Sequence, residues 1–148
     1  MLSSTFRPGL ALSAINPEEF PKIVALRSRL PESAAELAQY FYTPDYLTAH
    51  PELANRFAGN KRNEEQKLRR AGILTRPVEF ELSAIAAPTL VLAGSEDRLI
   101  PKAHTLSLAR EIKGAKTAIV AGVGHVGTIQ DPAAVAAEVL AFLKHDQA

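Results

Sequence analysis

The chain has 148 residues, enough for one domain with a core or for part of a larger one, and its 47% hydrophobic and 22% charged residues exclude a disordered chain. Its 17 basic and 16 acidic residues leave a net charge of +1, which builds no field for nucleic acid or an anionic membrane, so neither is expected as a partner. The absence of cysteine excludes disulfides, thiolate metal sites and cysteine nucleophiles.

The start, MLSSTFRPGLALSA, has an apolar patch that is short and broken by Pro8 and Gly9, so it is read as ordinary sequence rather than a signal peptide. No apolar run approaches the roughly 20 residues of a membrane-spanning helix, and the expected setting is the cytoplasm. PGLALSA, residues 8–14, predicts a short buried strand within a first segment, 1–15. Asn16-Pro17-Glu18-Glu19 then predicts a helix start, with Asn16 as N-cap and Pro17 at the first helical position. Pro31 and Pro44 open further helix-like stretches, the second with Thr43 as cap, and His50-Pro51 interrupts before ELANRF. After Gly59, KRNEEQKLRRAG predicts a polar helix ending at Gly72. Residues 16–80 are therefore expected to be an almost wholly helical insert.

From Ala84 the texture changes. PTLVLAG predicts a parallel strand buried on both faces, with Pro88 at its entrance. Pro101 opens a helix ending at Gly114, KTAIVAG is a second strand, and Asp131-Pro132 caps a last helix with Val135, Val139, Phe142 and Leu143 on one stripe. Residues 81–148 thus run strand, helix, strand, helix, the order that gives parallel pairing through a crossover.

AGVGHVG, residues 121–127, spells G-x-G-x-x-G at Gly122, Gly124 and Gly127. That pattern cradles a pyrophosphate only inside a strand–turn–helix leading to a second strand with an acid about 20 residues on. No such strand follows within the chain, and Asp131 at the helix cap would repel a phosphate, so no dinucleotide is expected and no other cofactor is implied. The scattered histidines His50, His104 and His145 share no ligand spacing, so no metal site is expected. Tyr40, Phe41, Tyr42 and Tyr46 cluster in the helical region, as packing or as the wall of a substrate pocket.

The order of IAAPTLVLAGSEDRLIP, LAREIKGAKTAIVAGVGHVGTIQDP and VAAEVLAFL resembles the C-terminal part of the α/β-hydrolase family. The likeness is strong over 84–143 and weak before it, where FYTPDYLTAHPEL has the texture of the family's helical cap. It implies an α/β fold, a partial α/β-hydrolase sheet of about three parallel strands flanked by helices, with a cap-like insert. It implies Asp97 as the triad acid, with Glu96 as the alternative, and His125 as the triad base, lifted above the sheet by a glycine turn. The family's chemistry also needs a nucleophile at a strand-to-helix elbow, usually G-x-S-x-G. None of Ser3, Ser4, Ser13, Ser28, Ser33, Ser83, Ser95 and Ser107 has that setting.

The expectation is a truncated hydrolase of small esters, lactones or related bonds, inactive alone. The alternatives are half of a split hydrolase completed by another chain, and a non-catalytic binding module. The outer edge of the first strand is expected to be bare, or to pair with a second copy or a complementing chain.

Overall fold

A computed structural model of the chain describes residues 1–7, 9–58, 63–75 and 81–145. The run PTLVLAG forms β2 (Leu90–Gly94), buried at every position, in the middle of a parallel sheet ordered β1–β2–β3. On one side β1 (Leu2–Ser3) sets Leu2 opposite Val91. On the other, β3 (Lys116–Val120) pairs along the whole strand, from Leu90 opposite Lys116 to Gly94 opposite Val120.

Side chains alternate across β2, as pleating requires. Leu90 and Leu92 join Val120, Val123 and Val135 beneath the last helix, α9 (Pro132–His145). Val91 points the other way, onto Leu82, Leu108 and Ile112, behind α7 (Lys102–Ser107). With both faces covered, an uninterrupted apolar run is what β2 needs. On the edge strand β3, by contrast, Ile119 is 49% exposed.

The first strand lies earlier than the sequence suggested. Within 8–14, Gly9 takes φ +86°, Leu10 is exposed, and α1 (Leu12–Ile15) is already helical; Pro8 lies outside the described residues. A Pro-Gly pair punctuates the chain here rather than opening a strand. β1 pairs only with Val91 and Leu92; Ser4 still donates its N–H to the Leu92 carbonyl at 3.2 Å, but its φ of +46° ends the extended run.

The helical segment continues through α2 (Phe20–Ser28), α3 (Ala34–Ala38), α4 (Pro44–Ala49), a 3-10 turn at Pro51–Ala54, α5 (Asn55–Ala58) and α6 (Glu64–Thr75). Thr43-Pro44 and Asp131-Pro132 start helices as predicted, and the Asp131 carboxylate accepts the Ala134 N–H at 2.9 Å. Asn16-Pro17 does not start one. Helix α2 begins at Phe20, and Asn16 turns its side chain inward to a distant loop. The stretch after Pro31 is helical only over α3, and α6 runs past Gly72. Residues 59–62, where the polar helix was expected to begin, and 76–80 lie outside the described residues.

Ile15, Ile23, Leu26, Leu37 and Tyr40 form the core of this segment, and Leu99 and Ile100 from the turn after β2 complete it. The helices therefore grip the turn that leaves the central strand. Tyr40 adds a polar tie: its hydroxyl donates to Glu19 at 2.6 Å, while the Arg98 guanidinium lies 4.7 Å from its ring centre and 3.5 Å from the Glu19 carboxylate.

Burial, and then the Glu19 carboxylate, push the Tyr40 hydroxyl up to about 12 from its usual value near 10. Because the neutral form is the one favoured on folding, this contribution is whole below pH 10 and is lost as pH rises through 12. It amounts to about 2–3 kcal/mol. Melting temperatures from pH 9 to 12 should fall more steeply for the parent chain than for Tyr40→Phe; parallel curves would count against the network.

Candidate active site

Asp97 occupies the turn immediately after β2, and its side chain is 1% exposed. A carboxylate taken out of water needs donors, and this one has three. Oδ1 accepts the N–H groups of Leu99 at 3.0 Å and Ile100 at 2.9 Å, and Oδ2 lies 3.0 Å from Nδ1 of His125. The helices hold the turn itself in place. Leu99 and Ile100 are buried in the helical core, and the Asn16 amide donates to the carbonyls of Arg98 at 2.8 Å and Leu99 at 3.1 Å. Glu96, the alternative acid, is exposed and takes a hydrogen bond from Ser95, so Asp97 is the acid that reaches His125.

His125 sits in the loop after β3, which is laced to the Asp97 turn backbone to backbone. Ser95 N–H donates to Val120 O at 2.9 Å, and Glu96 N–H donates to Val123 O at 3.0 Å. Ser95 Oγ accepts the Gly122 N–H at 2.8 Å. Of the three glycines in the loop only Gly122 takes positive φ, +70°. Gly124 is needed for space, since a Cβ there would lie 2.8 Å from the Phe41 carbonyl oxygen. The loop then enters the short helix α8 (Gly127–Gln130).

The imidazole is 20% exposed on its side chain and stands edge-to-face with the Phe41 ring, 5.5 Å between centres. A carboxylate beside Nδ1 favours the tautomer that donates from that nitrogen, which leaves Nε2 as the ring's acceptor.

Three residues that join the two loops to the helical segment carry no local signal for those contacts in the sequence: Asn16, Thr43 and Gln130. Asn16 reads as a helix cap from its neighbours, and its true partners are 82 and 83 residues away. Thr43 does precede α4, yet its hydroxyl accepts from Gln130 Nε2 at 2.7 Å instead of capping the helix.

The aromatic cluster divides. Tyr40 is core, Phe41 stands beside His125, and Tyr42 stacks on Tyr46 at 5.8 Å. Tyr46 in turn meets His50 at 4.4 Å. A cleft of about 820 Å³ opens beside Tyr42 and Tyr46, bounded also by Glu96, Arg98, Gly122 and Gln130. Neither Asp97 nor His125 lines it. Among the described residues no group of three His, Cys, Asp or Glu side chains could hold a metal ion, and no helix is long and apolar enough to cross a membrane.

Residues 57–148 match the α/β-hydrolase family model described as "TAP-like protein". The chain is 32% identical over 111 residues to the putative carbamate hydrolase RutD of Pseudomonas syringae pv. syringae (strain B728a), covering 72% of this chain and 43% of that protein. Among solved structures, a thermophilic esterase from Thermogutta terrifontis superposes with a TM-score of 0.70 at 21% identity, over 97% of this chain and 54% of that one. The 2-hydroxy-6-oxo-6-phenylhexa-2,4-dienoate hydrolase of Rhodococcus sp. strain RHA1 does so with a TM-score of 0.70 at 17% identity, again over 97% and 54%. The chain thus spans about half the length of the proteins it matches. The fold shared with the solved structures is the three-stranded parallel sheet and its helices.

Proposed function

The chain belongs to the α/β-hydrolase family, matching its C-terminal part, and from that premise we propose that it carries the acid–base half of a hydrolase for a small ester, lactone, carbamate or related bond. One observation carries the reading: the His125 Nδ1–Asp97 Oδ2 contact of 3.0 Å, with the buried carboxylate gripped by two further N–H groups. In this reading Asp97 fixes the Nδ1–H tautomer and stabilises the imidazolium. His125 Nε2 takes the hydroxyl proton of the nucleophile as its oxygen bonds the carbonyl carbon, then returns that proton to the leaving group.

The nucleophile has to come from residues outside this sequence. Ser95 is the serine nearest the pair in the chain, but its hydroxyl donates to Glu96 and accepts from Gly122. The helices α2 to α6 act as the cap, and Phe41 forms one wall of the substrate pocket beside His125. The outer edge of β1 is where the complementing half, or a second copy of the chain, adds its strand.

The purified 148-residue polypeptide is expected to hydrolyse p-nitrophenyl acetate no faster than its His125→Ala variant. Turnover by the parent chain that vanishes in the variant would show that the nucleophile is already present. A second reading, a binding module without catalysis, draws on the cleft beside Tyr42 and Tyr46, which the acid–base pair does not line. Ligand binding there that is lost in Tyr46→Ala and indifferent to His125→Ala would favour it.

A further inference from the structure

Gln130, the last residue of α8, spends its whole side-chain amide joining the histidine loop to the helical segment. Its Oε1 accepts the N–H groups of Gly124 at 3.1 Å and Thr43 at 3.3 Å. Its Nε2 donates to the Gly122 carbonyl at 2.9 Å and to Thr43 Oγ1 at 2.7 Å. Two donors and two acceptor positions are all that a primary amide has, and all are used. Neighbouring contacts join the same two surfaces: Val126 N–H donates to Phe41 O at 3.1 Å, and the Tyr46 hydroxyl donates to Ile129 O at 3.1 Å.

We propose that Gln130 is a positioning residue for His125: with Thr43 it pins the turn Gly122–Gly124 so that Nδ1 stays on Asp97. The proposal rests on reading Asp97 and His125 as an acid–base pair. The turn needs such a brace for a physical reason. β3 ends at Val120, and the glycines at 122 and 124 have no side chains with which to fix their own conformation. Gln130 grips the turn on both sides of Val123, at Gly122 and at Gly124, the residue immediately before the histidine. The amide is also the group the site calls for. A carboxylate here would set an oxygen against the Gly122 carbonyl, and asparagine is one methylene too short to span the same partners.

The test is nuclear magnetic resonance on the labelled full chain. The downfield Nδ1 proton of His125 is assigned by its disappearance in Asp97→Asn. Gln130→Met, nearly the same shape without hydrogen bonds, is expected to broaden or remove that proton. It should also speed exchange of the Gly124 amide at least about fivefold. The amides of Leu90–Gly94 and Lys116–Val120 should keep their shifts, which separates loss of positioning from loss of fold.

If Asp97→Asn removes the proton and Gln130→Met leaves both it and the Gly124 exchange unchanged, the positioning role is overturned and the pair stands. If Asp97→Asn leaves the proton in place, the pair is absent and both readings fall. Should Gln130→Met not fold, Thr43→Val removes a single partner of the amide. It is expected to speed Gly124 exchange about twofold; unchanged exchange there overturns the proposal.

Discussion

Gly94→Ala is expected to destabilise the chain by about 3 kcal/mol or more and to part the two loops that carry Asp97 and His125. A Cβ on Gly94 would lie 2.5 Å from the carbonyl oxygens of both Gly124 and Val123. Both obstacles are backbone, so no rotamer change relieves the overlap. The Asp97 turn or the histidine loop must move, and the Ser95–Val120 and Glu96–Val123 bonds that lace them are the first to lengthen. Urea unfolding measures the cost, and Gly72→Ala supplies the control. Gly72 lies in α6 with nothing within 4 Å of its Cβ position, so alanine there should be neutral or stabilising by up to about 1 kcal/mol. Equal unfolding midpoints for the parent and Gly94→Ala would mean that the two loops are not in contact.

That contact explains which parts of the site could be read from the sequence. The strand β2 announces itself through a run of apolar residues, because burial on both faces leaves no room for polar ones. Asp131-Pro132 and Thr43-Pro44 announce helix starts, because proline's fixed φ and missing N–H suit the first helical position whatever lies around it. These are local causes with local signatures. The two-residue β1 is too short to have a periodicity to detect. Asn16 has the right neighbours for a cap and is drawn instead to carbonyls at 98 and 99, a choice made by tertiary packing. The glycines of AGVGHVG were legible as a turn presenting His125. That Gly124 is there for the Phe41 carbonyl could be known only once the helical segment was seen to dock. The juxtaposition of Asp97 and His125 came from a family resemblance. No spacing rule brings residues 28 apart in the chain to 3.0 Å.

Asp97 separates two roles that a single substitution would confuse. Asp97→Ala is expected to cost about 3 kcal/mol, because it strips the acceptor from two buried N–H groups, those of Leu99 and Ile100, as well as from His125. Part of that loss is offset because a buried carboxylate is costly to desolvate, which keeps the figure below a simple sum of three bonds. Asp97→Asn should cost about 1 kcal/mol, since its side-chain oxygen can still accept both backbone N–H groups. What asparagine changes is the face turned to the imidazole. Its NH₂ group meets Nδ1, the ring proton moves to Nε2, and the nitrogen needed as base becomes a donor. Under the proposed function, with a nucleophile half supplied, the asparagine variant should therefore fold almost normally and lose about 10⁴-fold in turnover. Urea midpoints rank the two variants for stability, and ester turnover by the reconstituted enzyme ranks them for catalysis. If asparagine destabilises as much as alanine, the negative charge rather than the two backbone bonds is what holds the turn. If asparagine retains full turnover, Asp97 does not set the tautomer of His125.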